Sequence, residues 1–468
     1  MTREIGKKAN RIVRDAKGQP YELTGMLGSG GQGVVCTTSI PNVLAKIVRP
    51  GISEERRTAW ITRVVNLMRR PLEGLHVAAP LALAFNPRTN NPVGYLMELM
   101  DGLEPLAELI EKVRDEGIES FVRSGGLRKR MKALARLARI LAELHGRGLA
   151  FGDLSPSNVF VSKSKAHAEV WLIDCDNIDF DSSHMIYTPD YGAPEIVRDE
   201  AGISTLTDSW SYAVLAFRLL TLEHPLKGDL VVEGEPETEE IALQGDLPWV
   251  DHSTDRRNAL STGLPREVVL TGPLRVLFDR CFDEGMRDPA ARPSMAEWAD
   301  AFETSTARLV ECRSCESTFH FSGVSLECPF CGEVQPEDHA LPLRGYTFIP
   351  LKLLPEDMPQ NERKRECWTK TGDVVVAVTG NPIELREFPP GTSLHSESRN
   401  VCSLRISEEG LWIEPALNAE VNLQAASGSK VARIVGPRLI KAASKIGAGQ
   451  LLHLGPLAEP HTAWRFKW

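Results

Sequence analysis

The chain has 468 residues, 42% of them hydrophobic, and a net charge of −9. That length suggests two or three globular domains, and the acidic balance argues against a protein that coats nucleic acid. No apolar run approaches the roughly 18 residues of a membrane helix, and the first residues, MTREIGKKAN, lack a signal-peptide apolar region. We therefore expect a cytoplasmic protein, with neither a membrane nor a nucleic acid as partner. Four of the nine cysteines fall in two close pairs, and Cys36, Cys175, Cys281, Cys367 and Cys402 are scattered. This usage suits a metal site in a reduced compartment better than a disulfide framework.

In chain order, residues 1–20 are charged and unpatterned and are read as a leader. The run YELTGMLGSGGQGVVCTTS then places Gly28, Gly30 and Gly33 between two strand-like segments. Glycines at that spacing let a hairpin tip lie over phosphates with bare backbone N–H groups pointing at them. A dinucleotide-binding turn uses the same letters, but there the glycines precede a helix. Lys46 follows on the alternating strand VLAKIV. Residues 53–70 open with Ser53 as an N-cap and Glu54 and Glu55 in the first turn, and Trp60, Val64, Leu67 and Met68 recur at helical spacing. GYLMELMDG, residues 94–102, reads as a strand and turn.

Residues 127–145 form an amphipathic helix with Leu127, Met131, Leu134, Leu137, Ala138, Leu141 and Leu144 on one face, so their Arg and Lys residues should face water. The acidic run 233–240, EGEPETEE, is read as a solvated loop. After the long helix comes LAFGDLSPSNVF, with Asp153 five residues before Asn158, and then WLIDCD, with Asp174 ending an apolar strand. One carboxylate to take a hydroxyl proton, with an Asn and a second Asp to hold magnesium, is the equipment of phosphoryl transfer.

These stretches resemble the catalytic loop and metal loop of the eukaryotic-type, bacterial-style Ser/Thr protein kinases. YTPDYGAPE at 187–195 is similar to the end of a kinase activation segment, an element that small-molecule kinases with H-G-D loops lack. Asp208 before Trp210 is similar to the start of kinase helix F, and Arg292 stands like the Arg that pairs with the A-P-E Glu, here Glu195. The resemblance implies that Gly28, Gly30 and Gly33 cover ATP phosphates and that Lys46 pairs with them, as in the V-A-I-K motif. It further implies that Glu98 and Met100 offer hinge backbone to adenine, that Met97 is near the gatekeeper position, that Asp153 is the catalytic base, and that Asn158 and Asp174 bind magnesium.

The sequence departs from that pattern in several places. The helix that should carry the Lys46-pairing Glu has no acid near Ile61, so Glu54 or Glu55 swings in or Lys46 is held another way. Phe151 and Gly152 stand where His and Arg precede the catalytic Asp, and Ser155 replaces a Lys. Loss of the Arg implies activity independent of activation-segment phosphorylation. Cys175 and Asp176 stand where Phe and Gly follow the metal Asp, and Asp174 to Glu195 spans only 22 residues.

Toward the C-terminus, Cys312, Cys315, Cys328 and Cys331 form two C-x-x-C knuckles with Gly332 after the second. Four thiolates at this spacing imply a closed, tetrahedral zinc site in a ribbon too small to bury a core, so that the metal supplies its folding energy. Beyond residue 340, short alternating runs broken by Gly, Pro, Asn and Ser imply an all-β sandwich. It bears a resemblance to a forkhead-associated domain, which would read phosphothreonine with Arg399, Ser398 and Asn422.

The expected architecture is α+β, a bilobal protein-kinase fold followed by a zinc ribbon and a β-sandwich: a leader (1–20), a kinase domain (21–305, lobes 21–98 and 102–305), a ribbon (308–335) and a sandwich (345–468). The expected function is ATP- and Mg2+-dependent phosphorylation of Ser/Thr hydroxyls of protein substrates. The ribbon, holding Zn2+, and the sandwich would recruit partners, among them a phosphoprotein. The alternative is a pseudokinase scaffold that binds nucleotide without transferring phosphate.

Overall fold

The computed structural model describes residues 12–468 except 30–32, 50, 166–167, 181–186, 337, 388–398, 427, 429 and 442–448. The described chain divides into two compact units. One comprises Met1–Ser120, Arg136–Gly263 and Val276–Met295, the other Phe121–Ala135, Leu264–Arg275 and Ala296–Trp468. No helix among the described residues is long and apolar enough to cross a membrane.

The first unit opens with a closed barrel of β1 (Ile12–Arg14), β2 (Pro20–Ser29), β3 (Gly33–Thr38), β4 (Val43–Val48), β5 (Ala82–Phe85) and β6 (Pro92–Glu98), in the order β1-β2-β3-β4-β6-β5. Residues 12–14, inside the stretch read as a leader, pair with β2 and close the barrel on β5 through Arg14 and Phe85. The two-residue period of β4 decides what each side chain meets. Ala45 joins an inner core with Val13, Leu23, Cys36, Ala84 and Leu96. Leu44 and Val48 instead pack with Tyr95 and Met97 beneath α1 (Glu54–Leu67), which contributes Trp60, Ile61 and Val64. Lys46 shares the parity of Leu44 and Val48, so the strand period carries its charge onto this apolar face. Ser53 caps α1 as expected, accepting from Arg56 N at 3.3 Å, but Met68 is the C-cap and 40% exposed, so Ile61 takes its place on the buried face.

The helix Gly126–Gly146 buries all seven apolar residues of its predicted stripe. Lys129 and Arg130, expected to face water, are buried as well. The Arg130 guanidinium donates to the carbonyls of Phe121 (3.4 Å) and Gly126 (3.1 Å) and to Ser124 Oγ (3.2 Å), and lies 4.0 Å from the Phe121 ring centre. It thus serves the C-terminal end of the preceding helix, Ile118–Arg123, where a cation is favoured. The acidic run read as a loop instead enters a helix at Pro236–Leu243, with proline at its start and Glu237 and Glu239 in its first turn. The helix Thr205–Thr221 is buried almost throughout.

In the second unit, two antiparallel sheets face each other. Six strands stand in the order Trp368–Val378, Ala340–Phe348, His461–Lys467, Gly449–His453, Val421–Ala425 and Val431–Ile434. Four stand in the order Ile383–Glu387, Arg399–Ser407, Gly410–Pro415 and Arg438–Lys441. Leu343, Leu404, Ile413, Val421, Leu452 and Trp464 fill the space between them, which makes a sandwich.

Candidate active site

Val159–Ser162 and Val170–Leu172 pair antiparallel, and residues with chemistry flank them. Asp153 and Asn158 lie on the loop before the first strand, and Asp174 follows the second in the left-handed conformation (φ 58°, ψ 49°). Asn158 Nδ2 donates to the Asp153 backbone oxygen at 2.9 Å and to its carboxylate at 3.3 Å. With the nitrogen so used, the carboxamide oxygen is the atom left for a cation. That oxygen and the Asp174 carboxylate are hard donors of the kind magnesium takes, so the residues fit the metal.

The loop that carries Asp153 is held through its backbone. Asp208, at the start of the Thr205–Thr221 helix, accepts from Phe151 N at 2.6 Å and Gly152 N at 2.9 Å, and His145 Nε2 lies 3.0 Å from the same carboxylate. Phe151 is buried. Gly152 has φ +87°, and a Cβ there would meet Ile203 Cδ1 at 2.9 Å. The missing Arg is therefore a steric property of this loop and not an isolated substitution.

Thr188 donates its hydroxyl to Asp153 Oδ1 at 2.7 Å, tying the end of the activation-segment-like stretch to the proposed base. Burial raises the Asp153 carboxyl above its ordinary value, the Thr188 hydrogen bond opposes the rise, and the nearby Asp174 charge adds to it. Farther along, Glu195 and Arg292 form a buried bidentate pair, both contacts 2.7 Å, as their motifs imply.

Lys46 is 4% exposed. Its ammonium contacts Asp174 and, at 2.5 Å, Asp176 Oδ2. Burial alone would lower the pKa of the amine; the two carboxylates outweigh it and hold the group above its ordinary value. Neither early glutamate reaches the lysine: both are exposed, and Glu54 pairs with Arg57 at 3.1 Å. Lys46 is thus held another way, by an aspartate whose role was not read from the sequence. Trp60, Tyr95 and Thr188 were missed as well. The signal for Asp176 was present as one acid too few in α1 and one too many after Asp174.

Gly28 lies on β2 with open space about its α-carbon, and a Cβ on Gly33 would meet the Ile47 carbonyl at 2.7 Å. Gly30 lies outside the described residues. Met97 is buried at the end of β6, Glu98 is exposed and Met100 is half-buried. Between Glu98 and Met100, Leu99 N donates to Asn42 O at 2.9 Å.

The sulfurs of Cys312, Cys315, Cys328 and Cys331 lie within 4.8 Å of one another. Cys312 and Cys331 are 3.6 Å apart, and Cys315 and Cys328 are 3.7 Å apart. Zn–S bonds of ~2.3 Å in a tetrahedron require sulfurs about 3.8 Å apart, so the residues fit zinc. Gly332 turns back at φ 76°, Ser314 N lies 3.4 Å from Cys312 Sγ, and Gln335 Nε2 lies 3.2 Å from the same sulfur. The ribbon is not coreless: Val310, Phe319 and Phe321 pack with Ala340, Val376 and Val378 of the six-stranded sheet. Metal is thus not the ribbon's sole source of folding energy, contrary to the expectation from its size.

Two residues of the phosphothreonine reading stand on different sheets. Arg399 lies on the four-stranded sheet and pairs with Glu387 (2.6 Å). Asn422 lies on the other sheet, buried, donating to Gly455 O at 3.2 Å. Ser398 lies outside the described residues.

Residues 21–300 match the family described as Protein kinase domain. The chain is 25% identical over 247 residues to ribosomal protein S6 kinase 2 alpha of Xenopus laevis, covering 48% of this chain and 30% of that protein. It is 33% identical over 107 residues to the serine/threonine-protein kinase pkn2 of Myxococcus xanthus, covering 21% and 13%. The chain thus spans less than half the length of these curated relatives. Among solved structures it is similar to the ROP18 kinase domain in complex with AMP-PNP and sucrose, with a TM-score of 0.44 and 16% identity over 63% of this chain and 82% of that one.

Proposed function

Because the chain belongs to the protein kinase domain family, we propose that it is a protein-serine/threonine kinase that moves the γ-phosphoryl group of ATP to protein hydroxyls. The observation that carries this reading is the gathering of Lys46, Asp153, Asn158 and Asp174 around a loop fixed from behind by Asp208. In this reading Asp153 accepts the proton of the attacking hydroxyl, the oxygen bonds to the γ-phosphorus, and ADP leaves. A base whose pKa is raised accepts that proton more readily than an exposed aspartate would. Lys46 holds the α- and β-phosphates. Magnesium bound at Asn158 and Asp174 would neutralise phosphate charge.

Serine/threonine selectivity is supported by the name of one curated relative, the serine/threonine-protein kinase pkn2. Cys312, Cys315, Cys328 and Cys331 would hold zinc with no open position, a structural site, and the ribbon and sandwich would recruit protein partners. Incubation with ATP, magnesium and a protein acceptor, followed by peptide mass spectrometry, tests the reading. Phosphoserine or phosphothreonine on the acceptor supports it; AMP, or transfer to a small molecule alone, contradicts it.

A further inference from the structure

A buried ammonium needs a fixed counter-charge, and α1 has none to give. The two carboxylates that reach Lys46 differ in kind. The Asp174 side chain is 41% exposed and is the residue assigned to metal, whereas that of Asp176 is wholly buried. Asp176 is also fully engaged: it accepts from Lys46 Nζ (2.5 Å) and Trp60 Nε1 (2.9 Å) through Oδ2, and from Tyr95 OH (2.5 Å) through Oδ1.

The fold explains why these donors meet. Tyr95 on β6 stands directly opposite Lys46 on β4, so both side chains leave the sheet on the face that α1 covers. Trp60 comes from the first buried turn of that helix, and its ring centre is 5.7 Å from that of Tyr95. The helix therefore contributes a neutral donor where an acid is expected, and the acid comes from the segment following the metal aspartate.

Resting on the phosphoryl-transfer reading above, we propose that Asp176 is the positioning residue for Lys46, replacing the absent helix glutamate from the position two residues after Asp174. The phosphate-binding cation and the metal carboxylate are then fixed to one short segment, Asp174–Asp176. The helix α1 reaches Asp176 through the Trp60 indole. The opposite possibility, that Asp176 clamps Lys46 away from phosphate, makes the opposite prediction for the same variant.

The test is a double-mutant cycle on the full chain with Asp176→Asn, Lys46→Met and both together, reading kcat, KM for ATP and Mg–ATP affinity, with melting temperatures as the folding control. Asp176→Asn should lower kcat about 100-fold, the loss expected when a reacting group shifts by ~1 Å. KM for ATP should rise while KM for the protein acceptor holds, and Asp176→Glu should recover part of the loss. The double variant should be no worse than Lys46→Met alone, because Asp176 acts through Lys46. Wild-type or faster turnover in Asp176→Asn, or losses that multiply in the double variant, would overturn the inference. If Asp176→Asn does not fold, the combined Tyr95→Phe and Trp60→Phe variant replaces it, with reduced turnover supporting the role and unchanged turnover ending it. A wild-type chain that binds Mg–ATP without transferring phosphate would remove the proposed function alone. The cycle would then be read in affinity, where a shared loss sustains the Asp176 role and independent losses end it. A chain that neither binds nor transfers overturns both.

Discussion

Thr188 and Asp153 are joined by a 2.7 Å hydrogen bond in which the threonine hydroxyl donates to the carboxylate proposed to take the substrate proton. The contact orients that carboxylate and also favours its ionised form. Transfer requires ionised Asp153, so activity falls as pH drops through its pKa, which burial raises from its ordinary value. Removing the hydroxyl with Thr188→Ala takes away an effect that lowers the pKa, so the acid limb of kcat/KM should move to higher pH. The rate should also drop by up to ~100-fold from misplacement, and Thr188→Ser should restore both. A pH–rate profile checks this, and an unmoved acid limb contradicts it.

Gly152 occupies a left-handed conformation with Ile203 pressed against the space a side chain would fill. Gly152→Ala should cost about 1–3 kcal/mol, measured by urea denaturation. With no Arg at this position to read a phosphate, phosphatase treatment of the purified protein should leave its turnover unchanged.

Glu195 and Arg292 form a buried bidentate pair, and Arg292 also donates to Gly285 O at 2.9 Å. Removing one partner strands a buried charge, so Glu195→Gln should destabilise the chain by about 3–5 kcal/mol. Arg292→Lys should rescue little of what Arg292→Ala loses, because an ammonium cannot make both contacts. Calorimetric melting of the three variants tests the pair.

The four cysteine sulfurs predict about one zinc per chain by elemental analysis, lost when Cys328 and Cys331 become Ser. Because Val310, Phe319 and Phe321 bury against the six-stranded sheet, metal removal should loosen the ribbon without unfolding the sandwich. Proteolysis after chelation should cut first within 312–335.

The parts most legible in the sequence were those in which a local pattern carries its own geometry. The Asp153–Asn158 spacing, the seven-residue stripe of the 126–146 helix and the cysteine knuckles each lie within a few turns of chain. Contacts that depend on distant segments were hidden. Asp176 is 130 residues from Lys46 and 116 from Trp60, so the surplus acid after Asp174 does not by itself say which side chains it meets. Arg130 was misread because an amphipathic pattern reports the polarity of a face and not which carbonyls lie against it. The period-2 patterns of the sandwich signalled strands but not their sheet assignment, which separates Arg399 from Asn422.

The most direct test is incubation of the purified chain with γ-labelled ATP and magnesium beside its Asp153→Asn variant, with label counted on the chain and on a generic basic protein. The account predicts labelling by the wild type that falls by ~10²–10⁴-fold in the variant, the range for loss of a general base, with the variant as stable as the parent. Equal labelling by both proteins would contradict it.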